Sequence, residues 1–141
     1  MSLEWTPDLS VGDETLDEQH KRLLKEVNLL VEVTEQKGAN DELVEGILKF
    51  LDSYIAEHLT YEEHYMREHD YPDVERHKVI HDGFRSAYKE FRERFDKHGS
   101  VVALTKAARD FLGEWWIDHI VMEDQKYHRY IEEHEKTKVH S

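Results

Sequence analysis

An all-α fold, an antiparallel up-down-up-down four-helix bundle with an extended N-terminal arm, is what three features of this sequence predict. Chain breakers are few and clustered: proline occurs only at Pro7 and Pro72, and Gly38 with Asn40, Asp70-Tyr71-Pro72-Asp73 and His98-Gly99-Ser100 separate four long segments. Within each segment apolar residues recur every three and four positions, the period of an amphipathic helix. The connections are short, which makes successive helices antiparallel neighbours.

The elements follow in order. Residues 1–12 form the arm, with Trp5 available to pack on the bundle. The first helix is expected at about 15–36, with Leu16, Leu23, Val27, Leu30 and Val31 facing inward. The second is expected at about 41–68, capped by Asn40 or Asp41, with Leu43, Ile47, Leu51 and Tyr54 as its stripe. The third covers about 73–97, with Asp73 as cap and Phe84, Tyr88, Phe91 and Phe95 as its seam. The fourth covers about 100–133, capped by Ser100, with Leu104, Ala108, Phe111, Leu112, Trp115 and Trp116 inward. Residues 1–141 read as a single domain, long enough for one core and too short for two comfortable ones.

Composition narrows the chemistry. With no cysteine, disulfides, iron–sulfur clusters, thiolate zinc sites and thiol nucleophiles are excluded. A formal net charge of −13 repels phosphate backbones, so nucleic acid is not an expected partner. The start, Met1-Ser2-Leu3-Glu4-Trp5-Thr6-Pro7, lacks the basic and apolar regions of a secretory signal. No apolar run approaches the roughly 20 residues that span a bilayer, so a soluble cytoplasmic protein with no membrane association is expected. Histidine is the anomaly, with 11 residues where a solvated surface needs few.

Four local patterns carry these histidines: His20 in Asp17-Glu18-Gln19-His20, the pair His58 and Glu62, the pair His77 and His81, and the pair His119 and Asp124. Helical residues four apart share a face, about 6 Å apart along the axis, and can reach a common metal. Residues five apart differ by about 140° in azimuth, so His119 and Asp124 are expected to approach a central site from two flanks. Singly, such pairs arise by chance in a His-rich acidic chain, and His64 with Glu68 is another example.

Register separates the two kinds. His58 and Glu62 continue the stripe of Ile47, Leu51 and Tyr54, whereas His64 and Glu68 align with Ser53, Glu57 and Thr60 on the polar face. His77 and His81 lead into the Phe84 seam, His20 lies between Leu16 and Leu23, and His119 follows Trp115 and Trp116. A buried polar group without a partner costs several kcal/mol. Seven in one core would exceed the roughly 5–15 kcal/mol by which a domain is stable, and metal ligation removes that cost. Start, end, start and late positions on four antiparallel helices also fall at one end of a bundle, so the seven groups converge at one level.

Five imidazoles and two carboxylates are too many for one ion. Two ions bridged by Glu62 and Asp124, with the histidines as terminal ligands, fit the set. Imidazole with carboxylate suits iron, zinc, copper or nickel, and the residues alone do not choose. No Glu stands three residues before a His, as ferritin-like di-iron proteins require. His-Glu-x-x-His, phosphate loops and nucleophile elbows are absent too.

The ordered set of His, then His-x-x-x-Glu, then His-x-x-x-His, then His-x-x-x-x-Asp resembles the hemerythrin family over nearly the whole chain. Glu4-Trp5 through Ser10-Val11-Gly12, Asp17 through His20, and Trp115 through Tyr127 resemble its single-domain bacterial members, the bacteriohemerythrins. The resemblance implies two non-haem iron ions with a bridging oxo or hydroxo group. It assigns His77, His81 and His119 to one iron and His20 and His58 to the other, with Glu62 and Asp124 bridging and one position open for O2.

Reversible oxygen binding without turnover, as a carrier, store or delivery protein, is the function implied. An oxygen or redox sensor domain and a peroxide- or nitric-oxide-reducing enzyme are the alternatives, with iron storage ranked last. No catalytic residue is assigned, and the further candidate partner is an oxygen-consuming or redox protein. Retaining oxygen requires excluding water, for which Trp116, Ile120, Leu23 and Leu24 are the candidate pocket wall. Asp17 is expected to be a first-turn acid favoured by the helix dipole, with an outer-sphere role toward His20 as the alternative. His64, His69, His98, His128, His134 and His140 are expected on the surface.

Overall fold

A computed structural model describes residues 4–35, 41–98 and 108–140, and all regular structure among them is helical. Helix α1 spans Glu14–Glu35, α2 Asp41–Glu68 and α3 Val74–His98. Helix α4 runs over 108–140 and is not uniform: two wide π-helical stretches, Ala108–Gly113 and Ile120–Asp124, flank an α-helical turn, Glu114–His119, and Gln125–His140 completes it. The arm is not fully extended, because Pro7–Leu9 forms a 3-10 turn with proline in its first turn.

Helix ends follow local chemistry. Asp13 caps α1: its carboxylate accepts from the Leu16 backbone N–H at 3.0 Å, and its carbonyl accepts the first helical bond from Asp17. Helix α2 stops where Asp70 turns left-handed at φ 57°. The Tyr71 N–H then reaches the Met66 carbonyl at 3.0 Å and the Asp70 N–H reaches Arg67 at 3.1 Å, which satisfies the last carbonyls in a Schellman arrangement. Pro72 prevents resumption, and α3 begins with the His77 N–H on the Asp73 carbonyl. The expected caps Asn40 and Ser100, and Leu104, lie outside the described residues, as do the side chains of Asp41 and Ala108.

The helices alternate in direction. Between α2 and α3, His81 meets Glu63, Tyr88 meets Asp52 and Arg92 meets Glu45, one chain rising as the other falls. Between α3 and α4, Phe91 meets Phe111, Phe84 meets Trp115, His81 meets His119 and Arg76 meets Glu123 in the same opposed order. One core cluster fills the middle of the bundle, from Leu23 and Leu24 through Leu51 and Ile55 to Phe84, Leu112 and Trp116. A second, smaller cluster of Val11, Leu16, Met66, Tyr71, Tyr127 and Ile131 closes the end on which the arm lies.

The stripe of α2 needs correction. Leu43 is 51% exposed, Tyr54 is half-buried, and Val44, Ile47, Leu48, Leu51 and Ile55 make the inward face. That face continues directly into His58, Leu59 and Glu62. Leu43 lies in the first turn, one residue short of the face that the bundle buries. Phe91, Phe95, Phe111, Trp115 and Val31 pack partly buried at the margins of the main core.

Candidate metal centre

All seven expected ligands are buried and meet between the two core clusters. Helix α1 contributes His20, α2 His58 and Glu62, α3 His77 and His81, and α4 His119 and Asp124. Their ligand atoms form two overlapping groups, one of Glu62, His77, His81, His119 and Asp124, the other of His20, His58 and Glu62. His64 is on the outside, its side chain 70% exposed and paired with Glu68 at 2.8 Å.

Each carboxylate divides its two oxygens between these groups. Glu62 Oε1 lies 3.2 Å from His77 Nε2 and 3.0 Å from His81 Nε2, while Oε2 lies 3.4 Å from both His20 Nε2 and His58 Nε2. Asp124 Oδ1 faces His77 at 3.2 Å and His119 at 3.1 Å, and Oδ2 faces His20 at 3.2 Å.

The expected flank approach of His119 and Asp124 is corrected by the π-helical turn Ile120–Asp124. A π turn closes from i to i+5, so residues five apart stand nearly above one another. His119 and Asp124 therefore touch at 3.1 Å and enter from the same side. Trp115 stacks on the His119 ring at 4.5 Å and 10°, fixing its plane.

The donor set fits a cation. His119 Nε2 is 3.0 Å from His77 Nε2 and 3.1 Å from His81 Nε2, so three nitrogens point at one another. One proton on His119 Nε2 cannot serve both contacts well, and unshared lone pairs repel, whereas a cation among the three nitrogens accepts all their lone pairs. His20 Nε2, His58 Nε2 and both oxygens of Asp124 are buried without a well-formed hydrogen bond. Such groups are expensive unless something binds them.

Electrostatics agree. Burial works against charge on His20 and His77, but Asp124 and Glu62 outweigh it and push both imidazoles up to about 9. His119 rises to about 10 for the same reasons. Burial wins at His58, which falls to about 3. Despite burial, surrounding imidazoles hold the Glu62 and Asp124 carboxyls well below their usual range. The pocket is thus built around two carboxylates whose charge is balanced by protons or by metal.

Outer contacts orient the candidate ligands. His58 Nδ1 bonds Gln19 Oε1 at 2.7 Å, and His81 Nδ1 bonds Glu63 Oε2 at 2.8 Å. Arg85 holds the same Glu63 oxygen at 2.8 Å. The Tyr127 hydroxyl donates to Glu62 Oε2 at 3.1 Å. Sequence reasoning assigned no role to Gln19, Glu63, Arg85 or Tyr127. Gln19, Glu63 and Tyr127 reach candidate ligands on other helices, and Arg85 acts through Glu63, so helical register does not point to them, and in a chain with 32 acidic residues nothing marks Glu63. The usable signal was chemical, since a ligating imidazole needs an acceptor for its other N–H.

The four pocket-wall candidates are buried, with Leu23, Leu24 and Trp116 in the main core and Trp116 5.3 Å from the His58 ring. Asp17 does not serve His20. Its carboxylate accepts from Ser10 Oγ at 2.6 Å and the Val11 N–H at 2.9 Å, anchoring the arm, and Gln125 Nε2 donates to the Leu9 and Ser10 carbonyls. Of the remaining histidines, His134 is exposed, His69 and His128 are half-buried, and the side chains of His98 and His140 lie outside the described residues.

The comparisons with known proteins agree with this architecture. Residues 11–131 match the family described as the hemerythrin HHE cation binding domain. A bacteriohemerythrin of Stenotrophomonas maltophilia is 29% identical over 134 residues, covering 94% of this chain and 83% of its own. A bacteriohemerythrin of Pseudomonas paraeruginosa is 31% identical, covering 89% and 78%. A myohemerythrin of Theromyzon tessulatum is 30% identical, covering 88% and 89%. This chain, with its cluster of buried histidines and carboxylates able to hold a metal, belongs to the hemerythrin family.

Proposed function

We propose that this protein binds molecular oxygen reversibly at a non-haem di-iron centre, as a cytoplasmic carrier, store or delivery protein. The observation that carries the reading is the division of Glu62 and Asp124 between two groups of histidines, which is what two bridged ions require. His77, His81 and His119 would hold one iron, and His20 and His58 the other, with both carboxylates shared. The second group has one imidazole fewer, so an exogenous ligand finds its coordination position there. The reduced iron pair would supply the electrons that oxygen takes up on binding.

The chain's own residues serve retention and release. Leu23, Leu24, Trp116 and Ile120 are buried, and their large apolar surfaces would exclude water from the centre. Tyr127 holds Glu62 on the side of the smaller group, so that the carboxylate does not rotate away. Among the described residues no helix is long and apolar enough to cross a membrane. The relatives named bacteriohemerythrin and myohemerythrin support the same reading.

The test is an anaerobic optical titration of the iron-loaded, reduced protein with oxygen, followed by argon purging. An oxygen-dependent absorption band that saturates at about one O2 per two irons and disappears on purging is the expected result. A direct, irreversible passage to the oxidised spectrum overturns reversible binding in favour of an oxygen-consuming enzyme or a redox sensor.

A further inference from the structure

The two halves of the centre differ in more than ligand number. His81 and His58 each turn Nε2 toward the cluster, and Nδ1 must then carry the ring proton. The acceptors of those protons are not equivalent. His81 donates to Glu63, a carboxylate 7% exposed and clamped by Arg85, which also bonds Asp82 at 2.9 Å. His58 donates to the side-chain carbonyl of Gln19, a neutral amide. The outer Nδ1 atoms of His20 and His77, one from each half, have no hydrogen-bond partner among the described residues, so they do not distinguish the halves as those of His81 and His58 do.

An imidazole whose N–H faces a carboxylate is a stronger electron donor through its other nitrogen than one facing an amide. We propose that Glu63 is a positioning residue that gives the centre a loading order: the group of His77, His81 and His119 takes its ion first and holds it more tightly, because Glu63 and Arg85 fix the tautomer and raise the donor strength of His81, while Gln19 leaves His58 a weaker donor. This inference rests on the two-ion reading above. The geometry separates Glu63 from a purely architectural role. Among the described residues its carboxylate joins α2 to α3 through His81 and Arg85, and Arg85 can keep Asp82 when Glu63 is changed.

The experiment is anaerobic calorimetric titration of the metal-free chain with Co(II), its visible spectrum recorded in parallel, for wild type, Glu63→Gln and Gln19→Glu. Two resolved binding steps are expected for wild type. Glu63→Gln should weaken the tighter step by about 10–100-fold and leave the second step and the Tm of the metal-free chain nearly unchanged. Gln19→Glu should strengthen the weaker step, narrowing the gap from the other side.

Assignment comes from a His58→Ala background, in which the remaining tight step must still weaken when Glu63→Gln is added. An equal shift of both steps, or no shift in that background, overturns the proposal while leaving a two-ion centre intact. A single ion per wild-type chain overturns the two-ion reading itself, and the loading order with it. Should Glu63→Gln fail to fold, Gln19→Glu decides, since an unchanged weaker step there refutes the role assigned to the outer acceptor.

Discussion

Gly12→Ala probes how the arm seals the metal end of the bundle, and its size follows from the structure. Gly12 has φ 77°, and a Cβ built there would stand 2.8 Å from Cε1 and 2.9 Å from Nδ1 of His128. The left-handed backbone costs an L-residue about 1–2 kcal/mol. Crowding adds about 1 kcal/mol, the low end for overpacking, because the half-buried His128 ring can turn away from its contact with Glu132 at 3.4 Å. Reduced freedom of the unfolded chain returns about 0.4–1 kcal/mol. The net loss is about 1–3 kcal/mol, which for a chain of this size lowers Tm by roughly 3–10 °C.

Calorimetry of Gly12→Ala, His128→Ala and the double variant separates the parts. The crowding share should vanish when residue 128 is alanine, and the backbone share should remain. Val11, the preceding residue, is buried in the cluster that contains Tyr127, so loosening the arm should also speed the loss of iron to a chelator. A Gly12→Ala chain as stable as wild type in both backgrounds refutes the left-handed seat and with it the seal.

Two further outcomes test the site itself. His77→Ala should sharply lower iron per chain measured by elemental analysis, because His77 contacts both carboxylates; His64→Ala, on the exposed face, should retain it, and equal losses would break the face assignment. Ile120→Ala should shorten the lifetime of the oxygen-bound protein in a spectral decay assay, since removing a fully buried wall residue admits water. Its stability cost should be about 2–5 kcal/mol, and decay kinetics equal to wild type would remove Ile120 from the oxygen pocket.

The sequence made the bundle and the buried histidine and carboxylate cluster legible because both are written in helical period. Leu23, Val27 and Leu30 on α1 and Phe84 and Tyr88 on α3 are buried as their spacing predicts. The same reasoning brought His58, Glu62, His77 and His81 to the inside and left His64 out. Period alone does not fix the phase of a stripe to one residue. Leu43 and Val44 compete for the same turn, and which one is covered depends on how α2 rolls against α1 and α3, a tertiary choice. Nor does period reach across helices. Glu63 holding His81, Gln19 holding His58 and Asp17 holding the arm are contacts between segments that are distant in sequence or differently oriented, and they emerge only when the helices are packed.

The spacing of His119 and Asp124 shows where the periodic argument fails and why the failure is informative. The candidate ligand pairs on α2 and α3 are four apart and need only an ordinary helix. A pair five apart on a regular helix would straddle the core, and the carboxylate could not divide its oxygens between the two groups as Asp124 does. The extra residue is absorbed in the π turn Ile120–Asp124, which has poorer hydrogen bonding than an α-turn and survives where its surroundings fix it. Those surroundings are present on both sides. Trp115 stacks on His119 just before the turn, Ile120 is fully buried within it, and Gln125 just after it grips the arm's carbonyls. An apparent misfit to the helical period, among candidate ligand pairs that otherwise keep it, is therefore itself a sign of the site: one of the two π-helical stretches of α4 lies where a carboxylate faces both groups of histidines.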